Sequence, residues 1–523
     1  MSVLREVAAV IAALGLLALL LAPAGMRRSE AFRGAGLAAA VLGAVLILVS
    51  LIPGDDLRAG LERLGSPAAG GAAAVGLAAL VAAMVVGVRV VVARPVVWFV
   101  LLALALPIRV PVSLGSQDAN LLLPLYLVIA LGVFAWLWAR VSGRVPAAGT
   151  GPRALAWPLA AFVALTVVSA VWSSDPEEAG IKLACFYIPF AILYALVLAW
   201  WPHAQALRAL VIVTLAGGVV AATMALWQFY SGDLWWNATL QQANVYSRFF
   251  RVNGFFFDPN ILGRYLALGI LVAVAVAWVR RGNRDLALLG GAAAIMAAGL
   301  FVTYSRSSTL MLMLGLALLG ARAVGARRAL GVAAALLIVI GGITLAASGN
   351  VREAATDLDR LERVSEGRFD LMRGGLTIWR DDPVLGTGVG GFAREFADNL
   401  TDTERARIRV VISHNTPVTV LSEVGLVGFA LFLWLLVGAG WSVVRGSRAQ
   451  GGDAGWARWT AGAILLGIVV HSLFYAALFE DPFVWVLGAG ACALAALPSQ
   501  AGTGDRDQEA GGAPAGEAAG AQA

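Results

Sequence analysis

The chain predicts an all-α fold, a polytopic transmembrane helical bundle of about 13 to 15 membrane segments with one large loop domain outside the membrane, given about 20 apolar residues per span. Three observations carry this. Of 523 residues, 60% are hydrophobic and 13% charged, with mean hydropathy +0.82; soluble domains are about 45 to 50% apolar. Uncharged apolar runs recur along almost the whole length. The short polar connections between them alternate between arginine-rich and arginine-poor, as the positive-inside rule requires of a membrane-threaded chain.

In order, the runs fall near 6–24, 35–53, 71–93, 96–108, 119–139, 154–172, 183–201, 207–230, 260–279, 286–304, 307–325, 329–347, 416–444, 458–478 and 483–497. Those at 96–108 and 483–497 are short for a span, which suits tilted, re-entrant or half-helices. The first resembles a signal peptide, but no small-residue cleavage site precedes Met26-Arg27-Arg28, so it is read as a helix. The arginine-rich connections are Arg27-Arg28-Arg33, Arg140-Arg144-Arg153, Arg280-Arg281-Arg284, Arg322-Arg327-Arg328 and Arg445-Arg448. They are assigned to the cytoplasm, which puts Ser173–Glu178, Ser231–Asp258, the turn at Ser305-Arg306, residues 350–415 and Glu480-Asp481 on the outer side. The expected organisation is transmembrane helices over 1–349, an extracytoplasmic loop domain over 350–415, transmembrane helices over 416–499 and a disordered cytoplasmic tail over 500–523, rich in Ala, Gly and Glu.

Composition also excludes classes. The formal charge of +6 comes from arginines between apolar runs and forms no nucleic-acid motif. The two cysteines, Cys185 and Cys492, lie inside apolar runs and read as packing residues. No ligand spacing of His, Cys or carboxylates suggests a metal, and Gly-x-Ser-x-Gly is absent. Asp381-Asp382 and Glu480-Asp481 read as solvated termini.

Four polar stretches could carry chemistry. The first is Arg248 with Arg251-Val252-Asn253-Gly254 through Asp258-Pro259-Asn260, at the start of a span. If Asp258 or Asn260 caps that helix, the first-turn amides and Arg251 make an anion site; otherwise the arginines snorkel to headgroups. Arg264, one turn further in, deepens that site, pairs with an acid or snorkels. The second is Thr303-Tyr304-Ser305-Arg306, a turn so tight that Arg306 is expected at the membrane surface, hydrogen-bonded to a polyanion or pinning helices. The third is the run from Arg368 to Arg380, with Phe369, Met372, Leu376 and Trp379 at helical spacing for an apolar stripe, followed by Gly386-Thr387-Gly388-Val389-Gly390-Gly391, read as a tight turn rather than a nucleotide loop. The fourth is Ser413-His414-Asn415-Thr416-Pro417, whose imidazole lies among arginines, Arg405, Arg407 and Arg409 included, and suits a general base or a capping residue.

Together these stretches resemble the O-antigen ligase family and its polymerase relatives over roughly 245–440. The resemblance rests on Arg251, Gly254, Pro259 and Asn260; on Thr303, Ser305 and Arg306; on Arg368, Pro383, Gly386, Gly388 and Phe392; and on His414-Asn415 with Glu423, Gly425, Leu426 and Gly428. It departs from the family's usual pattern at Leu371-Met372, where a tryptophan is common, and at Arg264, where a small residue is. What it implies is a multi-pass enzyme of the cytoplasmic membrane with its active site facing the periplasm. It would be an inverting glycosyltransferase that needs no cofactor or metal, moving a glycan from undecaprenyl pyrophosphate to a hydroxyl on a glycan, lipid or protein acceptor. His414 would be the catalytic base, Arg251, Arg306, Arg368 and Arg264 the pyrophosphate ligands, and Asn260, Ser305, Asn415 and Glu423 their support. A polymerase of repeat units shares this chemistry. A lipid-linked glycan transporter is the alternative from another class, although no internal repeat of the kind transporters show is visible.

Overall fold

The computed structural model describes residues 2–22, 27–52, 62, 67–114, 117–144, 153–201, 204–235, 237–246, 249–328, 331, 368–400, 413–449, 452–475 and 477–495. Among them, ten helices are long and apolar enough to cross a membrane. The polytopic helical bundle expected from the apolar runs is what the chain forms.

Helices α1 (Ser2–Leu21) and α2 (Arg27–Leu51) pack as a close pair. Small residues permit this: a Cβ on Gly15 would stand 2.5 Å from the Ala40 nitrogen, and one on Gly43 would stand 2.6 Å from the Ala12 Cβ. Among the described side chains near their ends, Arg5, Glu30 and Arg33 find partners. Arg5 donates to Ser50 Oγ at 3.1 Å, and Glu30 bridges Arg33 and Arg140 at 3.3 and 2.7 Å. Next come α3 (Pro67–Ala93), mostly exposed on the bundle surface, and α4 (Val96–Ala105). The short run expected near 96–108 is thus a ten-residue helix. It leads into a two-stranded antiparallel hairpin, β1 (Val110–Leu114) with β2 (Gln117–Leu121).

The bundle centre is built from α5 (Leu123–Val141), α6 (Arg153–Val168), α7 (Pro176–Lys182) and α8 (Ile188–Trp200), the last two joined by one π-helical turn over Leu183–Tyr187. The continuous segment Pro176–Trp200 is the most enclosed span, with 89% of its most apolar window buried. Around it stand α9 (Ala204–Ser231), the short α10 (Ala238–Tyr246), α11 (Pro259–Arg280), α12 (Asn283–Val302) and α13 (Arg306–Val324). Of the expected loop domain at 350–415, residues 350–367 and 401–412, with Arg405, Arg407 and Arg409, lie outside the described residues, as do the expected span at 329–347 apart from Gly331, Arg248 and the tail. The described part holds α14 (Arg368–Asp381) and α15 (Phe392–Asp398); then α16 (Thr416–Ala449), α17 (Gly452–His471) and α18 (Pro482–Ala495) complete the chain.

The expected stripe on α14 is shifted. Gly375 and Ile378 are buried, with Leu371 beside them, whereas Leu376 is 37% exposed. The reason is backbone proximity. A Cβ on Gly374 would stand 2.1 Å from Phe396, and one on Gly375 2.4 Å from Val418, so the glycine face, not the bulkiest side chains, meets its neighbours.

Candidate active site at one end of the bundle

Five helix N-termini gather at one end, each closed by a polar side chain. Asp175 accepts from Glu178 N at 3.0 Å, Asp258 from Asn260 N at 2.6 Å, Ser305 from Ser308 N at 3.4 Å, Asn415 from Val418 N at 3.0 Å and Asp481 from Phe483 N at 3.0 Å. Proline follows at the first turn of α7, α11 and α18, where its missing N–H is no loss. The positive ends of the helix dipoles therefore point to one face, a setting that favours anions.

The arginine side of this face is a closed network. Arg251 donates through Nε to the Thr303 carbonyl and through Nη2 to Asn260 Oδ1, both at 3.1 Å. Asn260 Oδ1 also accepts from Ser305 Oγ at 2.9 Å, and Ser308 Oγ donates to the Asn260 carbonyl at 3.2 Å. Asn244 holds the Arg251 backbone on both sides, its Oδ1 accepting at 3.0 Å and its Nδ2 donating at 2.9 Å. The 251–257 loop is fixed below by buried Gln228, which exchanges two hydrogen bonds with the Gly254 backbone at 2.7 and 3.0 Å. Asp258 is the cap of α11, which frees Asn260 to join the arginine.

The structure corrects three expectations. Arg306, expected to be hydrogen-bonded, is exposed at the first position of α13, and among the described residues its side chain has no hydrogen-bond partner. Arg264 does not deepen the anion site: it is buried and pairs with Asp481 at 3.1 Å, the acid-pairing alternative. Asp481 is accordingly not a solvated terminus but 1% exposed, because a buried guanidinium needs a counter-charge. Arg368 starts α14, and its side chain lies outside the described residues.

His414 sits in a sharp turn with φ of +54°, a left-handed conformation uncommon outside glycine. Its neighbours impose it. Asn415 caps α16 and donates to the Leu473 carbonyl at 3.0 Å, Thr416 N donates to the Ser472 carbonyl at 3.0 Å, and Ser413 Oγ donates to the Asn415 carbonyl at 2.8 Å. The half-buried imidazole faces Tyr475, ring centres 6.5 Å apart. Tyr475 in turn lies within electrostatic reach of Asp258, Arg109, Arg264 and Glu480. The segment from His471 to Asp481 therefore ties the imidazole side of the face to the arginine side.

Beneath His414, Glu423 pairs with Lys182 at 2.9 Å, both buried. They line a small polar cavity of about 30 Å³ with Thr416, Thr419, Tyr187 and Glu480. Arg109 reaches the Glu480 carbonyl at 3.1 Å. Burial raises the Glu480 carboxyl above the usual range, opposed by Lys182 and Arg109 and helped by Glu423.

The glycine-rich segment is a turn with φ of +69°, +86° and +83° at Gly386, Gly388 and Gly390. It is inserted into a break in α16 at Gly425, φ +62°. An unbroken helix would pair Leu426 N with Ser422 O and Val427 N with Glu423 O. Instead Leu426 and Val427 donate to the Pro383 and Val384 carbonyls at 2.9 and 3.3 Å, while Ser422 and Glu423 accept from Thr387 and Gly388 at 3.0 and 2.8 Å. On its other side the turn meets the approach to α7, where Ser173 Oγ donates to the Val389 carbonyl at 2.8 Å and Ser174 N to the Thr387 carbonyl at 2.9 Å.

Of the residues singled out by sequence, the structure thus brings Arg251, Asn260, Ser305 and Arg306 into one cluster, and His414, Asn415 and Glu423 into another on the same face. Lys182 and Gln228 escaped sequence reasoning, and Asp481 reads in sequence only as a solvated terminus. Their only signal is a polar residue at the margin of an apolar run. Among the described residues no three His, Cys, Asp or Glu side chains converge as a metal site would need.

Residues 291–433 match the family model described as O-antigen ligase. The match takes in the Ser305-Arg306 turn, α14, the glycine-rich turn and His414 through Gly428, while Arg251 and Asn260 lie before it. No curated protein matches the chain.

Proposed function

We propose, from the premise that residues 291–433 place the chain in the O-antigen ligase/polymerase superfamily, that it transfers a glycan from undecaprenyl pyrophosphate to an acceptor hydroxyl with inversion at the anomeric carbon. The face that carries five helix N-termini, Arg251, Arg306 and His414 is the outer, periplasmic one, since the arginine-rich connections lie at the opposite end. The observation that carries the reading is the held guanidinium of Arg251 beside the exposed Arg306, on the same face as an imidazole in a strained turn.

In this reading the acceptor oxygen attacks the anomeric carbon, the bond from that carbon to the pyrophosphate oxygen breaks, and the hydroxyl proton passes to His414. Undecaprenyl pyrophosphate leaves with growing negative charge. Arg251, pre-set by Thr303 and Asn260, and Arg306, free to swing onto the ligand, take up that charge, as do the N-termini of α11 and α13. Arg264, committed to Asp481, holds the wall of the site instead.

The test uses the full chain in liposomes with an undecaprenyl-pyrophosphate-linked glycan and a defined acceptor. A new glycosidic bond, lost in His414→Ala, is the expected result. Donor movement across the bilayer with no bond formed would make the protein a transporter. Products of one added glycan on a terminal acceptor define a ligase; products of ever longer lipid-linked glycan define a polymerase.

A further inference from the structure

A second, apolar cavity runs away from this face, sharing Leu478 and Phe479 with the small polar one beneath His414. About 230 Å³ of space lies between α6, α8, α13, α16, α17 and α18, lined almost wholly by apolar side chains. On α17 the lining runs from Trp459 to Val469, about 15 Å at the helical rise, half the hydrocarbon thickness. It opens to the side of the bundle between Gly440 and Leu466, both exposed.

Two arginines lie one turn beyond the inner end of this cavity, outside its lining. Leu318, Gly462 and Val443 line it; the residue one turn nearer the arginine-rich end, on the same helical face, is Arg322, Arg458 and Ser447 respectively. Arg458 is 5% exposed, lies flat on Gly446, and donates through Nη2 to the Ser442 carbonyl at 2.6 Å. Arg322 donates to the Ser447 carbonyl at 3.2 Å and sits over the Trp456 ring at 5.9 Å. The Nε atoms of both are buried, and among the described residues neither has a hydrogen-bond partner. Neither guanidinium faces a carboxylate among the described residues. Two such charges at the membrane edge, with donors to spare, are an anion site, and the apolar slot above them specifies what the anion is attached to.

We infer that this cavity binds a glycerophospholipid of the arginine-rich, cytoplasmic leaflet, one acyl chain in the slot and the phosphate on Arg322 and Arg458. The leaflet rests on the orientation proposed above, whereas binding itself does not depend on the transfer reaction. Position argues for a phospholipid over the donor: the two arginines lie at the end of the bundle opposite to His414.

Native mass spectrometry of the detergent-purified full chain tests this with phosphatidylglycerol, diacylglycerol, undecaprenyl phosphate and inorganic phosphate, each at equal concentration. Phosphatidylglycerol is expected to remain bound to the wild type, with affinity at least about tenfold lower in Arg322→Gln/Arg458→Gln. Gly440→Leu should weaken it as much, because a Cβ there meets nothing within 4 Å and the larger side chain fills the slot without disturbing the arginines. Retention unchanged in Gly440→Leu, or diacylglycerol held equally well, would overturn the proposal. So would tighter binding of undecaprenyl phosphate, which would hand the cavity to a polyprenyl chain, or of inorganic phosphate, which would leave a bare anion site.

Discussion

At φ of +54° His414 holds a conformation that costs an L-residue about 1 to 2 kcal/mol, and the hydrogen bonds of Asn415 and Thr416 to the 472–473 backbone maintain it. Replacing it with alanine is expected to lower transfer about 10² to 10⁴-fold with the protein still folded, read as glycan linked to acceptor against yield and thermal midpoint. Arg306 projects from the first turn of α13 with no hydrogen bond among the described residues to anchor it. Arg306→Lys should impair transfer, because an ammonium cannot fork onto two phosphate oxygens; full activity would remove the residue from that role. Glu480 carries a sign that can be worked out. Its carboxyl is raised by burial, so the folded state holds the proton longer than the unfolded state, and its contribution to stability falls as pH rises from the ordinary glutamate range through the folded value. Glu480→Gln should therefore raise the thermal midpoint at neutral pH, with a gain that shrinks as pH falls toward 4.5, the ordinary glutamate value.

Between elements, the contact that joins α7 to α16 is the buried Lys182–Glu423 pair. Lys182→Met strands a carboxylate in a dry site and should cost about 3 to 5 kcal/mol, whereas Lys182→Met with Glu423→Leu should recover most of it; chemical denaturation of both variants in detergent reads the difference. This pair was invisible in sequence because its partners stand 241 positions apart, and nothing in a single chain marks which charge at an apolar margin will find which. The Asp258-Pro259-Asn260 and Thr303-Tyr304-Ser305 turns were legible for the opposite reason: caps and tight turns are local. On α14 locality misled, since spacing put the apolar stripe on the bulky residues, while the closest approach falls on Gly374 and Gly375.

Seen whole, the bundle follows from its apolar runs, whose limits the helices match to within a few residues through most of the chain. Which end faces out rests on arginine distribution alone, and cysteine labelling can check it. The native cysteines are buried, so Val384→Cys, at a position 59% exposed beside the glycine-rich turn, should react with an impermeant maleimide in intact cells. Arg281→Cys should react only after permeabilisation. The reverse pattern would turn the proposed site toward the cytoplasm. The exchange of hydrogen bonds at Gly425 has a mechanical corollary. With its backbone pairing handed over to residues 383–388, the stretch from Asn415 to Val424 is hydrogen-bonded to the glycine-rich turn where it would otherwise bond to the rest of its own helix. A substitution that breaks the 383–388 turn should therefore disturb the His414 end of α16 before the membrane-spanning remainder of the helix.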